Sequence, residues 1–215
     1  MLKINNLSAG YQDGKMILEH FNLELNEGER IGITGQNGNG KSTLAKAIMG
    51  MVPFMKGDII WQGKSLKDLE PHVRCKLGIG YFMQGGRVFR NLTVDDNLKA
   101  AALHDNSLNI EAHLKQLNIY ELPLLKDPKR RKILAGDLSG GERHILGFVL
   151  ALLGCSNMKL LIADEPSAGL SQKMQAYLLE VIQSILLDES VGFMIIEQNV
   201  DFLNKTVKKT IQLKS

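Results

Sequence analysis

Residues Gly35 to Thr43 read GQNGNGKST, a glycine-rich stretch ending in a lysine and two hydroxyls. The pattern G-x-x-x-x-G-K-[ST] suits phosphate chemistry. Gly35, Gly38 and Gly40 let the backbone curl, so that successive N–H groups around Gln36, Asn37 and Asn39 point inward at phosphate oxygens. A helix starting at this point adds partial positive charge. Lys41 is a cation for the outer phosphates, and Ser42 offers a hydroxyl to Mg2+ beside Thr43. A second stretch, Leu160-Leu161-Ile162-Ala163-Asp164-Glu165, is an apolar run ending in two carboxylates. Alone, such an end is often a loop boundary. Beside a phosphate cradle, Asp164 is placed to support the metal, and Glu165 to orient or deprotonate an attacking water. A third stretch, Leu138-Ser139-Gly140-Gly141-Glu142, is another small turn opening a helix. Ser139 as N-cap with Glu142 at the capping-box position accounts for it locally. Yet a specified pentapeptide is expected by chance in only about one in several thousand chains of this length. One chain thus carries two turns suited to gripping phosphate.

These groups need rigid elements beneath them. Ile31 to Thr34 is a short apolar run that leads into the glycine loop, and Ser42 to Met49 reads as a helix, the strand-loop-helix context the motif requires. Lys159 to Ala163 and Val191 to Ile196 are two further buried strands. Met174, Leu178, Val181, Ile182 and Ile185 recur at helical spacing, making Gln172 to Leu187 a crossover helix. The expected fold is α/β, with a mostly parallel sheet. Leu2 to Leu7, Leu18 to Leu25 and Gly57 to Trp61 alternate apolar and polar residues and form a small antiparallel layer in which Trp61 packs. Residues 85–153 show helical periodicity, with Thr93 as N-cap and Asp95 and Asp96 in the first turn of a helix running through Ala102. The expected division is a nucleotide-binding core at 1–84 and 154–215, with an inserted helical lobe at 85–153.

Bulk composition narrows the partners. The 215 residues include 26 Lys and Arg against 23 Asp and Glu, a formal charge of +3 that is too small to indicate a nucleic-acid binder. The run Lys129 to Lys132 is read as a solvated face. Cys75 and Cys155 are far apart in sequence and lack His partners at ligand spacing, so neither a disulfide scaffold nor a zinc site is expected, and a reducing cytosol fits. No signal-peptide layout is visible at the start. The most apolar run, Gly147 to Gly154, is well short of the ~20 residues a spanning helix needs, so any membrane role is expected to pass through a partner.

Taken jointly, the motifs resemble the ATPase subunit of an ABC transporter, in the family's order: Tyr11, the Gly35–Thr43 loop, Gln84 after GIGYFM, LSGGE, Asp164-Glu165, then Ser167-Ala168-Gly169-Leu170. The resemblance implies a homo- or heterodimer packed head to tail, with each ATP between the glycine loop of one copy and LSGGE of the other. Ser139, Gly140 and Gly141 would then grip the γ-phosphate across the interface, Tyr11 would stack on adenine, and Gln84 would reach Mg2+ and the water. It also implies polytopic permease subunits and a cytoplasmic location on the inner membrane face. The segment Gly85 to Leu98, the sequence DEPSAGLS and Ile196-Glu197-Gln198-Asn199 are similar to subunits of branched-chain amino acid uptake systems.

Departures from the family pattern bear on turnover. Gln198 stands where most members place His, and a neutral amide can donate to a γ-phosphate oxygen but cannot become a cation. Leu150 replaces a usual Arg, Arg143-His144 replace commoner glutamines, and the chain stops soon after Gln198. An exporter subunit, a non-transport ABC ATPase and an inactive regulatory subunit remain as alternatives. His20, His72, His104 and His113 receive no role.

Overall fold

The structure, a computed structural model, describes every residue except Asp13, Lys214 and Ser215. The alternating segments form β1 (Leu2–Gln12) and β2 (Lys15–Leu25), and the apolar run before the glycine loop forms β3 (Arg30–Thr34), which feeds α1 (Lys41–Ile48). Next come β4 (Phe54–Trp61), β5 (Lys64–Ser65), α2 (Pro71–Lys76) and β6 (Ile79–Phe82). A helical stretch follows: α3 (Val94–Ala102), α4 (Ile110–Gln116), the single turns α5 (Pro123–Lys126) and α6 (Pro128–Arg131), a 3-10 turn at Ala135–Asp137, and α7 (Gly140–Leu153). The chain finishes with β7 (Leu160–Asp164), α8 (Gln172–Ile185), β8 (Gly192–Ile196), α9 (Val200–Asn204) and β9 (Lys209–Gln212).

Two sheets result. The antiparallel sheet runs β2-β1-β4-β5, and the parallel sheet runs β6-β7-β8-β3-β9. Every residue of β7 and β8 is buried, as expected for parallel strands covered on both faces. Because side chains alternate, the two faces serve different cores. Leu161, Ala163, Phe193 and Ile195 join the core with α7 and α8. Leu160, Ile162, Met194 and Ile196 join the core with α1 and the antiparallel layer. Trp61 is buried in that second core, and its indole N–H donates to the Leu77 carbonyl at 2.9 Å. Thr93 caps α3, accepting from the Asp96 N–H at 3.1 Å.

Three sequence readings need correction or extension. The basic run is not a plain solvated face: Arg131 pairs with Asp95 at 2.5 Å and Glu111 at 3.0 Å, and Arg130 pairs with Glu142, so α6 ties α3, α4 and α7 together. The two cysteines are free but adjacent in space: the Cys75 thiol donates to the Gly154 carbonyl at 2.9 Å and the Cys155 thiol to the Cys75 carbonyl at 3.4 Å. Strand β9 went unread, because KTIQ has only one partly buried apolar residue and lies at a sheet edge. No helix among the described residues is long and apolar enough to cross a membrane.

Candidate nucleotide site

The sheet order places β3 two strands from β7, so the loops at their C-terminal ends open on the same edge. After β3 the backbone takes left-handed φ values at Gly35 (143°), Gly38 (90°) and Gly40 (83°), which folds the loop into a cradle ahead of α1. Lys41 is buried, with its ammonium donating to the carbonyls of Gly35 at 2.8 Å and Gln36 at 2.9 Å. The amide of Asn39 donates to the Leu213 carbonyl at 3.1 Å, anchoring the loop's outer wall. The Ser42 hydroxyl donates to Asp164 Oδ1 at 3.0 Å, joining the cradle to the end of β7.

Asp164 is only 1% exposed, and that burial raises its pKa; the Ser42 hydroxyl and the Lys46 ammonium work in the opposite direction. The Tyr81 hydroxyl donates to its Oδ2 at 3.4 Å. Glu165 follows in left-handed backbone, φ 46°, an unusual state for a carboxylate residue that costs about 1–2 kcal/mol. Its carboxylate is bracketed by two amides: Gln84 Nε2 donates to Oε2 at 2.6 Å, and Gln198 Nε2 donates to Oε1 at 2.5 Å. Gln198 Nε2 also donates to Asn37 Oδ1 at 2.8 Å. One chain of side chains therefore runs from the cradle through Gln198 and Glu165 to Gln84.

The donor set fits Mg2+. Ser42 and Asp164 present hard oxygens side by side, and the buried carboxylate, its pKa raised by lost solvation, gains from a nearby cation. Among the described residues no cluster of three His, Cys, Asp or Glu could hold a metal, so a cation here would need further ligands from phosphate and water.

The LSGGE turn is built but stands apart. The Ser139 hydroxyl accepts from the Glu142 N–H at 3.3 Å and the Ser139 backbone N–H donates to Glu142 Oε2 at 3.1 Å, a complete capping box. Arg130 holds the other carboxylate oxygen. Ser139 and Gly140 are exposed, and among the described residues no hydrogen bond joins residues 139–141 to the cradle. The structure thus assembles Asn37, Lys41, Ser42, Gln84, Asp164, Glu165 and Gln198, and leaves Ser139, Gly140 and Gly141 outside. Tyr11 lies at the flank, 41% exposed, with the Lys46 ammonium of α1 5.6 Å from its ring centre.

Helix α7 reaches the segment after Gln84 through backbone alone. A Cβ on Gly147 would sit 2.8 Å from the Gly86 Cα and 3.0 Å from the Arg87 nitrogen, contacts that no side-chain rotation relieves. We expect Gly147→Ala to destabilise the fold by about 1–3 kcal/mol through overpacking, read as a lower urea midpoint at unchanged slope. An unchanged midpoint would show that the two backbones separate freely.

Sequence reasoning gave no role of their own to two buried residues beside the site, His144 and Glu197, each named only as part of a family comparison. Glu197 did carry a signal: it ends an apolar strand, as Asp164 and Glu165 do. His144 carried only its place after LSGGE and its departure from the family's commoner glutamine.

A parallel sheet with a glycine cradle after one strand and an acidic pair ending a nearby one defines a P-loop nucleotide hydrolase. The family model described as ABC transporter matches residues 18–168, and the chain belongs to this family. It is an ATPase subunit of the kind that couples hydrolysis to transport. Relatives include the probable branched-chain amino acid transport ATP-binding protein LivF of Archaeoglobus fulgidus, 35% identical over 93% of this chain and 82% of its own length. The lipopolysaccharide export system ATP-binding protein LptB of Escherichia coli is 32% identical over 93% of this chain and 80% of its own. The high-affinity branched-chain amino acid transport ATP-binding protein BraG of Pseudomonas aeruginosa is 32% identical over 94% and 83%. The fold matches a dimeric structure of the ATP-binding cassette MJ0796 bound to ADP and Pi with a TM-score of 0.82, at 21% identity, over 100% of this chain and 94% of the other.

Proposed function

We propose that this chain works as one of two ATPase subunits packed head to tail beneath polytopic permease subunits, on the cytoplasmic face of a membrane, powering uptake of branched-chain amino acids. One observation carries the pairing: a single chain holds a phosphate cradle and a finished, exposed LSGGE turn that do not meet. A second copy, or a related subunit, completes each site by bringing Ser139, Gly140 and Gly141 against the phosphate held by its mate's Lys41. Tyr11 supports the adenine from the cradle's flank. Mg2+ bound at Ser42 and Asp164 would supply charge neutralisation at the outer phosphates.

The protein's own groups do the rest. Lys41 and the loop amides hold the triphosphate, while Gln84 and Gln198 fix the carboxylate of Glu165 from both sides so that it can orient the attacking water. Gln198 is neutral at any accessible pH, so it orients and donates without adding the charge a protonated imidazole would bring. Turnover therefore depends on closure of the pair, which excludes water and completes the donors.

Uptake rather than export is favoured by the likeness to LivF and BraG; the likeness to LptB makes a lipid exporter the second reading. Purification from membranes with the permeases encoded beside it, followed by reconstitution with their receptor, separates the two. ATP-driven accumulation of leucine, isoleucine or valine is the expected result. Outward lipid movement, or recovery with ribosomes and soluble assembly factors instead of permeases, would overturn the importer reading.

A further inference from the structure

Helix α7, which LSGGE opens, meets the loop after β7 through a side-chain hydrogen bond. His144 on α7 is buried against Phe82, ring centres 5.1 Å apart, and its Nε2 lies 2.6 Å from the Pro166 carbonyl oxygen. A carbonyl can only accept, so Nε2 carries the proton. Burial holds the imidazole's pKa below its ordinary value, while the Pro166 hydrogen bond and the nearby Glu197 carboxylate work in the opposite direction.

The next residue is held by a second buried group. The Ser167 N–H donates to Glu197 Oε1 at 2.8 Å, and Glu197 is only 3% exposed. Its second oxygen accepts from the backbone N–H groups of Gln198 at 2.8 Å and Asn199 at 3.0 Å. Among the described residues no Lys or Arg forms an ion pair with it, so three backbone amides meet the buried charge. Gln175 closes the network, donating to the Leu170 carbonyl at 3.1 Å and accepting from Asn199 Nδ2 at 3.4 Å. Beyond the clamped pair, Ala168 and Gly169 are exposed. Among the described residues neither His144 nor Glu197 hydrogen-bonds to the cradle, yet Pro166 directly follows Glu165, whose own N–H is tied to the Ile196 carbonyl at 2.8 Å.

We propose that His144 and Glu197 are positioning residues for ATP hydrolysis, holding Pro166–Ser167 through separate hydrogen bonds so that helix α7, Glu165 and Gln198 share one rigid frame. The proposal rests on the paired site above and adds the device that carries movement of the LSGGE turn to the water-handling groups. A loose clamp leaves nucleotide capture by Lys41 and Ser42 unchanged and misplaces Glu165, so the defect falls on kcat.

The test compares His144→Leu, His144→Gln and Glu197→Gln in the full chain. It measures steady-state ATPase, affinity for a fluorescent ATP analogue and thermal unfolding. A misplaced catalytic group can lower rate by up to about 10²-fold, and His144→Leu is expected to lower kcat about tenfold with analogue affinity within about twofold. His144→Gln, which keeps an N–H donor, should retain most of the activity. Glu197→Gln should resemble the leucine variant, and the double variant should lose less than the product of the two single losses, because both act on one turn. Unchanged kcat in His144→Leu overturns the proposal, as does equal loss of kcat and analogue affinity, or a glutamine variant as impaired as the leucine one. A parental chain that neither hydrolyses ATP nor pairs would instead overturn the paired-site reading itself.

Discussion

Glu165→Gln is expected to bind ATP and close as a pair while releasing phosphate about 10²–10⁴ times more slowly, the range associated with losing a general base. The separation of the two properties follows from which atoms the substitution touches. Lys41 is fixed by the carbonyls of Gly35 and Gln36, and Ser42 by Asp164, none of which involves Glu165. The contacts that set Lys41 and Ser42 are therefore unaltered. At position 165 the amide keeps the size and the left-handed backbone, but it replaces one carboxylate oxygen with an N–H donor. Gln84 and Gln198 each present an amide N–H to one of the two oxygens, so one of them then faces a donor. The remaining oxygen is also far too weak a base to take a proton from water. Phosphate release at saturating Mg-ATP measures the first effect, and size-exclusion chromatography with and without nucleotide measures the second. Parental turnover would end the role assigned to Glu165, and a variant that stays monomeric with ATP and its companion subunit would end the pairing.

The parts of this site that were readable from sequence are those where one local motif fixes both residue type and backbone shape. The cradle could be read because glycine at Gly35, Gly38 and Gly40 is what left-handed φ requires, and because a buried strand precedes it. The parallel strands could be read because burial on both faces leaves short unbroken apolar runs. What escaped was long-range or carried by polar residues in apolar surroundings. The bracketing of Glu165 joins positions 84, 165 and 198, and no spacing rule relates them without a resemblance to a known family. Neither the left-handed backbone at Glu165 nor the clamp through His144 has a local signature. The basic run was misread for the same reason: Arg130 and Arg131 find their carboxylates 12, 36 and 20 residues away in sequence, so composition alone placed them in solvent.

Helix α2 shows the same limit most sharply and sets up the prediction with the largest effect on stability. Its sequence, PHVRCK, buries only Arg74 as a full side chain, the reverse of the usual apolar stripe. Arg74 is 2% exposed and has no carboxylate partner in an ion pair among the described residues. Its guanidinium instead donates to four carbonyls: Leu69 at 2.8 Å, Leu66 at 2.8 Å, Ala47 at 3.0 Å and Ile48 at 2.8 Å. Ala47 and Ile48 lie in the last turn of α1, where the Ala47 carbonyl accepts a Gly50 N–H at 3.0 Å and the helix dipole is negative. The cation thus caps the C-terminus of the helix whose N-terminus carries the phosphate cradle. Gly50, at φ 73°, makes room for it, since a Cβ there would lie 2.8 Å from the guanidinium carbon. We expect Arg74→Leu to destabilise the protein by about 3–5 kcal/mol, because the Ile48 and Leu69 carbonyls lose the donor that meets them, those of Ala47 and Leu66 are left with one backbone N–H each, from Gly50 at 3.0 Å and Leu69 at 3.1 Å, and leucine fills only part of the volume. Arg74→Lys should recover only part of this loss, since one ammonium has three protons and no planar fork to span four carbonyls. Urea unfolding of the three proteins decides the matter: a loss below about 1 kcal/mol for the leucine variant would mean that water replaces the guanidinium at the end of α1.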